Sequence, residues 1–171
     1  TGIEKGIDIA IPACERQGYE SDTAGTITAY YESRGLLVKA VRCQLIDHFS
    51  ESREKFMKIA RPFSPDIIVY CKSNYLFIES KMGAEEVRSA CKQFEEAHGY
   101  APRLIVEEKG GLMVIEEDER SVQTVLEVYT DQMKISYLSE NFGGPHFMRP
   151  EQIRFIDNWE VENYRRKVAK G

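Results

Sequence analysis

Between Ser64 and Lys81 the chain sets two short apolar runs around a polar triplet. Asp66-Ile67-Ile68-Val69-Tyr70 is the first run, Tyr75-Leu76-Phe77-Ile78-Glu79 the second, and Lys72-Ser73-Asn74 lies between them. β-branched and aromatic residues dominate both runs, so the stretch predicts two strands joined by a tight turn. Two acids and a lysine stand at the ends of these apolar segments. Buried charge is costly unless it is paired or bound to a metal, so any fold of this chain must deal with Asp66, Glu79 and Lys81.

Side chains alternate faces along a strand, which puts Glu79 and Lys81 on one face and Ser80 on the other. Directly opposite residues of an antiparallel pair share a face. A turn at Lys72-Ser73 would set Asp66 opposite Glu79, and a turn at Ser73-Asn74 would set it opposite Lys81. A three-residue loop would separate Asp66 from the other two. Neighbouring carboxylates repel each other unless one is protonated. A divalent cation removes the conflict, and hard oxygen ligands suit Mg²⁺ or Mn²⁺. Lys81 would then stand where it stabilises a developing anion or positions a water.

Pro65-Asp66, twelve intervening residues and Glu79-Ser80-Lys81 resemble the signature of the PD-(D/E)xK nuclease superfamily. The resemblance implies a restriction-endonuclease-like α/β core, a mixed central sheet flanked by helices, and a metal-dependent deoxyribonuclease that hydrolyses phosphodiester bonds. It implies metal ligation by Asp66, Glu79 and the Ser80 carbonyl, and catalytic assistance from Lys81. Glu20, one turn before Ala24 in an expected first helix, reads either as a solvated first-turn acid or as an extra carboxylate at the site. Gln93, on a later helix, reads either as solvated or as a polar group turned back toward it. Tyr30-Tyr31-Glu32-Ser33-Arg34-Gly35-Leu36-Leu37-Val38 is similar to the helix–Gly–strand opening of archaeal Holliday-junction resolvases, where the helical Glu stands closer to the Gly than Glu20 does. The rival readings are a nuclease-like binding module without activity and a viral-type RNA endonuclease that adds His48 to the site.

The implied partner is nucleic acid, DNA first. The net charge of −5 sits awkwardly with that. Of the 28 acids, fifteen fall in residues 62–147 against eight basic residues, so a DNA-facing surface would draw on the two ends of the chain. No apolar run reaches membrane-spanning length, and no signal-peptide pattern opens the chain. Cys14, Cys43, Cys71 and Cys91 are widely spaced and form no C-x-x-C pair, which argues against a zinc site. Cys43 and Cys71 lie in apolar runs and read as buried thiols. A cytoplasmic setting is therefore expected.

At 171 residues the chain suits one domain, with a nuclease-like core over about 20–115 and a helical extension over about 118–171 that offers a dimer contact or a specificity element. The expected elements are a short strand within 3–12, helix 20–34 stopped by Gly35, strand 36–46, helix 51–60 and the hairpin. Helix 84–98, stopped by Gly99, follows, with strands 103–106 and 112–115, a helix over 120–129, a strand over 134–138 and a last helix over 151–168. Asp47-His48-Phe49-Ser50 reads as a connector, with Ser50 as the cap of the helix after it.

Overall fold

The computed structural model describes residues 11–144 and 146–170, and describes the side chains neither of Asn141 nor of residues 162–170. The strand expected within 3–12 falls almost wholly outside them. In chain order the elements are β1 (Gln17–Gly18), α1 (Asp22–Glu32), β2 (Leu37–Arg42), α2 (Gln44–Ser50), α3 (Arg53–Phe56), a 3₁₀ turn (Met57–Ile59) and α4 (Pro65–Cys71). There follow β3 (Leu76–Ile78), α5 (Ala84–His98), β4 (Leu104–Glu107), β5 (Leu112–Glu116), α6 (Glu119–Ser139), a second 3₁₀ turn (Glu140–Phe142) and α7 (Pro150–Lys170).

The five strands form one mixed sheet in the order β1-β2-β5-β4-β3. Only the β3–β4 pair is parallel; the others are antiparallel. Alternation along the strands divides the core in two. Leu104, Val106, Leu112 and Val114 face a cluster built with Phe49, Phe56, Ile67, Leu126 and Tyr129 from α2, α3, α4 and α6. Ile105, Met113 and Ile115 face the other way, onto Ala24, Ile27 and Tyr31 of α1 and Val87 and Cys91 of α5. Both faces of the central strands are covered, which is why they read as continuous apolar runs. The expected mixed α/β sheet flanked by helices is present.

The hairpin is not. Residues 65–71 are α4, with Ser64 extended at its start and Pro65 in its first turn. Proline fits there because the first helical N–H has no partner in any case. Ile67, Ile68 and Cys71 bury one helical face, a three-and-four spacing that a run of isoleucine and valine disguises as a strand. The second run does form a strand, β3, but it pairs in parallel with β4 and not with residues 66–70.

Elsewhere the corrections are smaller. The strand expected over 36–46 ends at Arg42 and gives way to α2, and Ser52, not Ser50, caps the next helix by accepting from Lys55 N–H at 3.2 Å. The strand expected over 134–138 is the last part of α6, whose Gln132 and Ser136 bond carbonyls of the 57–61 segment. Residues 17–18 form edge strand β1, for which no strand was expected. Gly35 and Gly99 end their helices with positive φ, +80° and +78°. All four cysteines are free thiols, and Cys43, Cys71 and Cys91 are buried. Among the described residues no helix is long and apolar enough to cross a membrane.

Candidate functional site at the carboxyl edge of the sheet

The pairing register brings the ends of β2, β3 and β4 and the start of β5 to one edge: Ile78 stands beside Glu107, Val106 beside Leu112, and Leu112 beside Val41. In open α/β sheets, ligands bind outside the carboxyl ends of the strands. Polar side chains gather here. Arg53, in the first turn of α3, holds the Glu79 carboxylate through Nε and Nη2 at 3.2 and 2.9 Å. Its guanidinium also lies 5.0 Å from the centre of the Phe77 ring. Both ionic side chains are 54% exposed, so the pair adds well under about 1 kcal/mol of stability; it orders the residues after β3 more than it stabilises them.

Ser80 Oγ donates to Glu108 Oε1 at 2.6 Å, and that bond holds the Glu108 carboxyl below its ordinary value. The Glu107–Gly111 turn is fixed from both sides. Lys109 N–H donates to the Ser50 carbonyl at 2.7 Å, and Ser50 Oγ donates back to the Gly110 carbonyl at 3.1 Å. On the other side Glu107 Oε2 accepts from Tyr19 O–H at 2.7 Å and from Ser21 Oγ at 2.8 Å. Burial and then the Glu107 carboxylate push the Tyr19 phenol up. Ser21 also caps α1, accepting from Ala24 N–H. A cleft of about 460 Å³ opens beside this corner, lined by Tyr19, Glu20, Ser21, Thr28 and Glu32 together with three alanines and Gly25.

The structure thus places the residues named from the sequence in different surroundings. Glu79, Ser80 and Lys81 are exposed at the edge, Lys81 with a left-handed backbone (φ 80°). Glu20 precedes the cap of α1 and lines the cleft. Gln93 is exposed on α5 and donates to Ser89 Oγ at 3.4 Å. Asp66 is exposed in the first turn of α4, so no hairpin carries it to Glu79. His48 packs edge-on against Phe49 and Tyr137, its Nε2 3.4 Å from Glu140 Oε1, which removes the basis for a site built from His48, Asp66 and Glu79. Arg53, Glu107, Glu108 and Lys109 went unrecognised in the sequence. For the last three the one signal was Glu107-Glu108-Lys109-Gly110-Gly111, two acids and a lysine held in a turn too tight for larger residues.

No protein-family model matches the chain, and no curated protein does. Solved structures do, 13 chains in all. An L-fuculose 1-phosphate aldolase aligns over 70% of this chain and 52% of its own, at 15% identity and a TM-score of 0.50. An aldolase II superfamily protein from Pseudomonas syringae aligns over 88% of this chain and 62% of its own, at 11% identity and a TM-score of 0.56. The likeness is one of fold. It overturns the PD-(D/E)xK resemblance, its restriction-endonuclease-like core and the DNA-hydrolysing activity drawn from it. The chain spans about half to three-fifths of the length of these aldolase-like structures.

A protein-held zinc usually takes three or four His, Cys, Asp or Glu ligands. Among the described residues no three His, Cys, Asp or Glu side chains come together as a set that could hold one. His48 is engaged with Glu140, and His98 packs against Phe94 and Tyr100. The described donors thus lack the three-ligand set that a zinc site takes.

Proposed function

We propose that the chain is an aldolase-II-type domain serving carbon–carbon bond cleavage or formation, with its substrate, a small polyhydroxylated molecule, at the carboxyl edge of the sheet. The observation that carries this reading is the shared fold over 88% of the chain. The edge supports it. Hydroxyls, carboxylates and cations converge there beside a cleft large enough for a sugar-sized ligand. In this reading Tyr19, Ser21 and Glu107 bind and orient substrate hydroxyls, since each already holds a geometry fixed by another hydrogen bond.

The reading is tested by incubating the purified chain with a panel of ketoses and ketose 1-phosphates, with Zn²⁺, Mn²⁺ or EDTA, and following aldehyde release by coupled reduction. Aldehyde release that falls at least about tenfold in Glu107→Gln is the expected result. No release from any substrate, with or without metal, would overturn it. The scattered donors favour one second reading, a domain of the same fold that holds ligand for a catalytic counterpart elsewhere. There, panel sugars would shift backbone resonances of residues 19–21 and 107–111 without being cleaved.

A further inference from the structure

Among the described residues Glu116 is the one charged side chain that is buried, at 8% exposure. It ends β5 on the edge of the sheet opposite the candidate site: Leu112, where β5 starts, pairs with Val41, and Glu116 pairs with Leu37. At about 3.4 Å per residue the two ends of the strand lie about 13 Å apart. A buried carboxylate is costly unless its oxygens find donors. Oε2 has two, Arg103 Nη1 at 2.8 Å and the Glu117 N–H at 3.1 Å. Oε1 has none among the described residues, where Tyr31 Oη is the only fully enclosed side-chain oxygen or nitrogen left without a partner, so Oε1 reaches open space. Burial pushes the carboxyl up, against the pull of Arg103.

The cavity that Glu116 lines lies between α4 and α6 and measures about 260 Å³. Val69 and Val125 give it apolar walls, Tyr70 an aromatic one, and Ser121 and Thr124 hydroxyls. Arg120 lines it too, but among the described residues Arg120 forms no ion pair with Glu116, whose partner is Arg103. The charge around the cavity is negative. Residues 65–72 and 116–121 hold five acids against Lys72 and Arg120, and Arg103 adds only one more cation. Pockets for drug-sized ligands run to about 300–1,000 Å³, so this one suits a body no larger than a single ring or a short chain.

We propose that this cavity binds a small organic cation, an ammonium or amidinium group on an apolar body, whose N–H donates to Glu116 Oε1 while the body lies against Tyr70, Val69 and Val125. A charge-assisted bond to a buried carboxylate is the strong kind, and the face of a tyrosine ring adds attraction for a cation beside it. A neutral ligand of the same shape keeps the apolar contacts and loses both terms. The inference does not rest on the aldolase-type reading: the cavity stands at the other end of β5 from the candidate site, and binding is measured there without turnover.

The test is a titration of the ¹⁵N-labelled chain with benzamidine and, separately, with neutral benzamide, at neutral pH and constant ionic strength. Saturable benzamidine shifts centred on residues 69–70 and 116–121 are expected, with benzamide binding at least about tenfold more weakly. Glu116→Gln keeps the size of the side chain and an oxygen for Arg103 and the Glu117 N–H, and it should weaken benzamidine binding about tenfold. Tyr70 is 47% exposed, so Tyr70→Ala keeps the fold and should weaken binding about fivefold. Equal binding of the two probes, binding that Glu116→Gln leaves unchanged, or shifts that never saturate would each overturn the proposal. So would shifts centred on the cleft beside Glu20 and Glu32, or binding seen only in Arg120→Ala, which would make Arg120 the group that covers Glu116.

Discussion

Gly110 and Gly111 lie beneath Tyr19, but different atoms stand in the way of a side chain at each. A Cβ on Gly110 would come within 2.4 Å of the Tyr19 hydroxyl oxygen and 2.8 Å of Glu107 Oε2, both at the ends of flexible side chains. A Cβ on Gly111 would come within 2.5 Å of the Tyr19 ring and 2.6 Å of the Val41 carbonyl oxygen. That carbonyl belongs to β2, whose Val41 is paired with Leu112, so it can move only if the strands part. Gly110→Ala should therefore cost about 1–2 kcal/mol, chiefly the Tyr19–Glu107 hydrogen bond. Gly111→Ala should cost about 2–4 kcal/mol, since overpacking against backbone has no cheap relief. Tyr19→Ala alone should cost about 2 kcal/mol for a half-buried ring and its bond to a carboxylate. Guanidinium melts of the three single and two double variants separate the effects. With Tyr19 removed, Gly110→Ala should lose most of its cost, a coupling of about 1 kcal/mol, whereas Gly111→Ala should keep more than half of its own. A Gly111→Ala penalty that vanished with Tyr19 would refute the assignment of the obstruction to β2.

Three other outcomes follow from the same geometry. Gln132 is fully buried, donates to the carbonyls of Ile59 and Arg61 and accepts from Phe63 N–H; Gln132→Ala strands all three and should lower stability by about 2–4 kcal/mol in a chemical melt. Burial pushes the Glu140 carboxyl up, but the bonds from Lys58 and His48 more than offset it and hold the group below its ordinary 4.5. Its contribution is therefore present above pH 4.5 and is lost as the pH falls through the lower folded value. Glu140→Gln should flatten that acid limb of the melting-temperature profile while costing less than about 1 kcal/mol at neutral pH, because the partners are partly exposed. Lys81→Gly and Lys109→Gly should each raise stability by about 0.5–1 kcal/mol, the left-handed penalty less the entropy of glycine; a loss in calorimetry would show that the lysine side chains support the fold.

What the sequence made legible was what local chemistry decides. Helix 84–98 and its Gly99 stop were readable because the apolar stripe of Val87, Cys91 and Phe94 repeats at helical spacing and ends at a residue that accepts positive φ. Strands β4 and β5 were readable because both their faces are buried, which leaves uninterrupted apolar runs. The stretch 65–71 was not, because β-branched residues in a short run fit a buried helix as well as a strand, and only packing against α6 and α7 decides between them. That single reversal removed Asp66 from the candidate site, and with it the geometric support for the nuclease resemblance. Glu79 and Lys81 follow a buried strand, but both are exposed, so neither is the buried charge that the apolar runs suggested. The partners of residues 79–80, Glu108 and Arg53, arrive from 29 residues downstream and 26 upstream of Glu79, through contacts that no local pattern encodes.

The outer strands of the sheet carry one more consequence. Among the described residues β1 is two residues long and β3 three, so each rim of the sheet offers a passing chain only a few unpaired backbone groups. Short rims are a poor template for strand addition. The apolar strands that could seed fibres, β4 and β5, are walled in by their neighbours.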